Sequence, residues 1–116
     1  MAAIVETSER AVNDLLTTHY YKTSYQKMKE VYLKVLEDIR FRVVSIDDNY
    51  CEIFSEISRM TVLAKFTEKN PRETAIDFYI DSEYILFSKK KAYGFIEYIY
   101  DEFKNHFELK GTGLGK

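Results

Sequence analysis

Cys51, His19 and His106 are the side chains of this chain best suited to nucleophilic or metal chemistry. A thiol becomes an effective nucleophile when a base such as imidazole sits beside it. No spacing ties either histidine to Cys51, and the cysteine shares its strand phase with Ile53 and Ile57. It therefore reads as a small buried hydrophobe. One Cys and two His do not assemble a zinc cluster, and a single Cys has no internal disulfide partner. Asp47-Asp48-Asn49 supplies carboxylates, but a calcium loop alternates its ligands over about twelve residues and adds a distal acid. That order is missing, so the triplet reads as a hairpin turn. Glu52, Glu56 and Asp77 share one predicted sheet face, where paired carboxylates for acid–base work would be sought. An exposed polar face gives the same pattern. The expectation is a protein with no catalytic residues, no metal ligands and no cofactor.

Two further motifs carry charge or glycine. Lys89, Lys90 and Lys91 form the one basic cluster, placed just before a helix and so against its dipole, which makes them a candidate anion contact. Three lysines alone do not anchor a protein to a membrane. Gly111-Thr112-Gly113-Leu114-Gly115-Lys116 looks like a fragment of a phosphate loop. A true one lies between a strand and a helix, whereas this one follows a helix and ends the sequence.

These residues are set on elements that the hydrophobic periods define. Residues 1–15 carry a short helical pattern with Ala11, Val12, Leu15 and Leu16 on one face. Leu16 to Lys22 is rich in β-formers and reads as a strand. Tyr25, Met28, Val31, Tyr32, Val35, Leu36 and Ile39 then recur at steps of three and four, with Thr23 or Ser24 as N-cap. This predicts an amphipathic helix of about four turns. From Phe41 the period becomes two, and four alternating runs follow, broken near residues 47–50, 58–59 and 68–72. Tyr84 to Phe87 extends the sheet or links it to a last helix, whose stripe is Ala92, Ile96, Ile99, Phe103 and Phe107, with Gly111 as its C′ residue. Strands grouped between helices predict an α+β fold: an antiparallel four- to five-stranded meander with two amphipathic helices on one face. The expected organisation is a frayed segment over 1–15, one domain over 16–110 and a flexible tail over 111–116.

Composition narrows the function classes. At 116 residues and 46% apolar content the chain has one core and is not disordered. Seventeen basic against nineteen acidic residues argue against a nucleic-acid binder. No run is long and apolar enough to span a membrane, and the start lacks the pattern of a secretory signal, so the expected compartment is the cytoplasm, with an exported domain trimmed of its signal as the alternative. With Gly confined to position 94 and the last six residues, Asn and Asp are expected to make the left-handed turns.

Residues 16–108, with their leading Tyr20-Tyr21-Lys22-Thr23-Ser24, a helix running into Val35-Leu36-Glu37-Asp38-Ile39, then Phe41-Arg42-Val43-Val44 and Asp47 to Ile53, resemble small bacterial helix–meander–helix domains. These include the repeats of the outer-membrane assembly lipoprotein BamC and related lipoprotein-like families. Asn49-Tyr50 stand where those domains often carry Gly after the Asp. The resemblance implies a binding or assembly module of bacterial origin, and it brings no catalytic residues.

One more pattern points to function. With Phe41, Val43, Ile53, Ile57, Val62, Phe66, Ile76 and Phe78 facing the helices, the opposite sheet face still carries Val44, Ile46, Phe54, Leu63 and Tyr79. A solvated face should be polar. Tyr93 and Tyr100 add amphipathic surface on the last helix. Val44, Phe54, Leu63, Tyr79, Tyr93 and Tyr100 are thus the candidate interface, for a protein partner or a second copy in a dimer. The alternative is a carrier holding a small apolar molecule or lipid between sheet and helices.

Overall fold

The computed structural model describes residues 2–84 and 86–115. Among these, strands β1 (Ala3–Glu6), β2 (His19–Tyr21), β3 (Arg42–Asp47), β4 (Glu52–Ile57), β5 (Met60–Asn70), β6 (Glu73–Ser82) and β7 (Leu109–Thr112) form one antiparallel sheet. Helices α1 (Tyr25–Asp38) and α2 (Ser88–Lys104) cover one face of it. The α+β class is as expected, but the sheet has seven strands rather than four or five.

The helices follow their apolar stripes. Ser24 caps α1 in an extended conformation, its hydroxyl accepting from Lys27 N at 3.3 Å, and the Glu68 carboxylate of β5 accepts from Tyr25 N at 2.8 Å. Met28, Tyr32, Val35 and Leu36 point inward. Arg40, at φ 65°, ends the helix in the left-handed region, and Phe41 N donates back to Leu36 O at 2.9 Å. On α2 the buried stripe is Ala92, Phe95, Ile96, Ile99, Tyr100 and Phe103. These two stripes meet Ile53, Val62, Ala64, Phe66, Ile76, Phe78 and Ile80 of the sheet in a packed aromatic core. Phe78 lies edge-on to Phe95 at 5.8 Å, and Tyr32 lies edge-on to Phe66 at 5.7 Å.

β6 organises the sheet. One edge pairs with β5 along its length, while the other is shared end to end by β1, opposite Tyr79–Ser82, and β2, opposite Thr74–Ile76. Thr7 fills the junction: its N–H donates to Phe78 O at 3.0 Å, and Phe78 N donates to the Thr7 hydroxyl at 2.8 Å. The excursion from Ser8 to Thr17 is not the expected helix but a loop with one 3₁₀ turn, Asp14–Leu16. Beyond β2 runs β7, so the segment expected to be a free tail is tied down instead. Gly111 pairs with Tyr20 inside a strand, and Gly113 N donates to Thr18 O at 2.9 Å. Gly111 is therefore not a helix C′ residue; α2 ends at Lys104, with Asn105 as its cap. No helix among the described residues is long and apolar enough to cross a membrane.

Candidate interaction surface on the open sheet face

Strand register brings the expected interface residues of the sheet into one row. Phe54 opposes Leu63 and Leu63 opposes Tyr79, while Ser45 opposes Phe54. Val44 is the extra residue of a β-bulge between Val43 and Ser45, so Val44 and Ser45 together face Phe54. Val44 is 40% and Tyr79 43% exposed, with Phe54 and Leu63 half-buried between them. The bulge also reverses the strand phase, so Ile46 opposes the buried Ile53 and lies on the helix side rather than the open face.

Charged rows flank this apolar strip. On one side Arg42 pairs with Glu56 at 2.6 Å, with Thr61 and Asp81 continuing the row. On the other Lys65 stands 3.8 Å from Glu52 and opposite Asp77. The three carboxylates expected on one face are there, but Glu52 and Glu56 have cationic partners and Asp77 serves another purpose. Its Oδ1 accepts both threonine hydroxyls, Thr7 and Thr18, at 2.6 Å each, which binds the junction of β1 and β2 to β6. Burial pushes the Asp77 carboxyl above the usual value, against the pull of those two hydroxyls. A depression of about 330 Å³ opens beside it, lined by Glu6, Thr7, Leu63, Lys65, Asp77 and Tyr79.

The far end of the same face is already covered. Tyr20 and Ala75, opposite each other, are buried outside the main core. The Tyr20 phenol donates to Glu9, whose other oxygen accepts from Gly115 N at 3.2 Å. Thus the loop carrying Glu9 and the segment around Gly115 cover one half of the face and leave the Val44–Phe54–Leu63–Tyr79 half bare.

The helix-borne candidates lie elsewhere. Tyr100 is buried, its ring stacked on His19 with centroids 3.6 Å apart, so it offers no interaction surface. Tyr93 is half-buried against the core and carries the Lys89 ammonium over its ring at 5.8 Å. Lys89, Lys90 and Lys91 sit in the first turn of α2, not before it, and each ammonium lies over an aromatic ring: Tyr93, Phe87 and Tyr84 respectively.

The remaining chemistry is accounted for by local structure. Asp47 Oδ1 accepts from Asn49 N and Tyr50 N, shaping the turn, while Asp48 accepts from Lys29 at 2.8 Å and the Tyr25 phenol at 2.7 Å. Cys51 is not a core strand residue. It occupies that turn at φ 54°, half-buried, and burial followed by the nearby Asp48 and Glu68 push its thiol pKa up, away from the thiolate. His19 in β2 is three strand spacings from β4, about 14 Å.

Geometry thus defines an α+β protein with a seven-stranded antiparallel sheet, helices on one side and a half-bare apolar strip on the other. Comparison with known protein families, curated proteins and solved structures finds no match.

Proposed function

We propose that this protein is a non-enzymatic interaction module that binds a protein partner, or a second copy of itself, through the open sheet face. The row Val44–Phe54–Leu63–Tyr79 carries this reading: four apolar side chains on four adjacent strands, bordered by charged pairs. An apolar centre with a polar rim is the composition of a docking surface. Strand register holds these side chains in fixed relative positions, which keeps the ordering cost of binding low. The alternative of a ligand between sheet and helices has less behind it, because Tyr32, Phe78, Phe103, Ile96 and Ile99 already fill that layer with side chains at 0–1% exposure.

Sedimentation of the purified chain over a range of concentrations tests self-association, and affinity capture with a defined partner tests the hetero-complex. Leu63→Asp and Tyr79→Asp, checked as folded by circular dichroism, should weaken the complex at least about tenfold. An assembly that survives both substitutions unchanged would place the interface elsewhere.

A further inference from the structure

At the start of α2 three local rules are broken within six residues, Leu86 to Lys91. Leu86 and Phe87 are adjacent, bulky and apolar, yet 67% and 66% exposed. Phe87 holds φ 61°, ψ 30°, the left-handed region that costs a non-glycine residue about 1 kcal/mol or more. Lys89, Lys90 and Lys91 then place three cations on the positive end of the helix dipole, and none has a carboxylate partner among the described residues. Such clustered departures mark places where function outweighs stability.

We propose that this tip is a contact site for an anionic lipid bilayer. Leu86 and Phe87 would enter the headgroup region while Lys89 and Lys90 meet the lipid phosphates. The two kinds of side chain share one surface: Leu86, Phe87, Lys89 and Lys90 line the same open concavity of about 470 Å³ with Ala2 and Ala3. The Lys90 ammonium lies 5.7 Å from the centre of the Phe87 ring, so the charge follows the aromatic wedge closely. Aromatic rings favour the headgroup level, and lysine stems bury their methylenes while the ammonium stays at the surface. Peripheral binding grows with the apolar area buried and with attraction to anionic lipid, and this tip offers both. An acidic protein would match the lysines as well; the exposed Leu86 and Phe87 beside them favour a bilayer, whose headgroup region accepts an aromatic ring and its apolar neighbour. This surface lies at the start of α2, apart from the sheet-face row, so each stands or falls alone.

The chain contains no Trp, so Phe87→Trp makes a single-tryptophan reporter at the tip. Titration with phosphatidylcholine vesicles containing phosphatidylserine should shift its emission to the blue and be reversed by high salt. Phosphatidylcholine alone should have no effect. The unmodified chain should co-sediment with the same anionic vesicles, and the folded double variant Lys89→Ala, Lys90→Ala should partition about thirty-fold more weakly. Leu86→Ser should lower binding without altering the circular dichroism. Unchanged emission with anionic vesicles, equal binding to neutral ones, or full binding by the double lysine variant would each overturn the proposal. So would soluble polyglutamate producing the same emission shift as vesicles, which would assign the tip to an acidic protein instead.

Discussion

The imidazole of His19 and the phenol ring of Tyr100 lie stacked, centroids 3.6 Å apart and planes 13° from parallel. The stack joins β2 to α2, and Nδ1 donates to the Thr17 carbonyl at 2.6 Å, which fixes the ring. Burial holds the imidazole below its ordinary value of 6.5, outweighing the Thr17 hydrogen bond and the Asp14 carboxylate, which act the other way. A base whose folded value is depressed keeps its full stabilising contribution above the unfolded value and loses it as pH falls below that point. Urea midpoints of the native chain should therefore drop between about pH 7.5 and pH 5.5, and His19→Phe, which keeps a stackable ring, should remove that drop. Equal slopes in the two proteins would show that His19 is not the titrating group.

Asp77 works with the opposite sign. Its folded value is raised, so the contribution of this group is fully present below the ordinary carboxylate value of 3.8 and is lost as pH rises through the folded value. At neutral pH the fold carries a half-buried negative charge that two threonine hydroxyls only partly offset. Asp77→Asn keeps an acceptor for Thr7 and Thr18 and removes the charge. The variant should be the more stable protein at neutral pH, with the difference shrinking toward acid. Chemical denaturation at the two ends of that range measures it, and a variant less stable at pH 7 would mean that the charged hydrogen bonds outweigh burial.

Much of this arrangement was legible in the residue pattern. The stripe from Tyr25 to Ile39 gave α1, and the alternation from Arg42 to Ser82 gave four strands whose pairing places Val44, Phe54, Leu63 and Tyr79 in one row. Local periodicity does not carry β1 and β7, which have four residues each and are strands because β6 and β2 offer them unpaired edges. It does not carry the Val44 bulge either, since one extra residue inverts every later side chain and sent Ile46 to the wrong face. Among the described residues the left-handed positions other than Gly113 fell on Arg40, Cys51, Ser58 and Phe87 rather than on Asn or Asp, because the helix ends and tight hairpins dictate them in a chain short of glycine. Tyr100 looked like surface because it lies beside the main stripe of α2, and only β2 folding back against that helix buries it.

On the inner face of α1, Tyr32 is fully buried and its hydroxyl lacks a hydrogen bond of normal geometry, as does the hydroxyl of the neighbouring Ser55. Each hydroxyl was taken from water without full replacement, which costs stability. Tyr32→Phe retains the ring contacts with Phe66 and Phe78 and removes one of the two groups. Its stability should be unchanged or higher by up to about 1 kcal/mol. Phe103→Ala, which opens a cavity in the same core, should lose about 3–5 kcal/mol. A Tyr32→Phe loss well beyond 1 kcal/mol would mean that the two hydroxyls hold each other firmly.

Phe87 tests whether stability and function pull apart. Glycine adopts φ 61° freely, whereas phenylalanine pays a steric penalty there and gains little burial in return, since the residue is 66% exposed. Phe87→Gly also frees the unfolded chain, which offsets part of the relief. The net expectation is a gain of about 0.5–1 kcal/mol in unfolding free energy, read from denaturation midpoints. The same variant should lose affinity for anionic vesicles, since it keeps the lysines but gives up the aromatic wedge. A variant that is less stable than the native chain would instead make the Phe87 ring, with the Lys90 ammonium above it, a clamp on the first turn of α2. In that case its exposure would be explained by the fold rather than by a surface it meets.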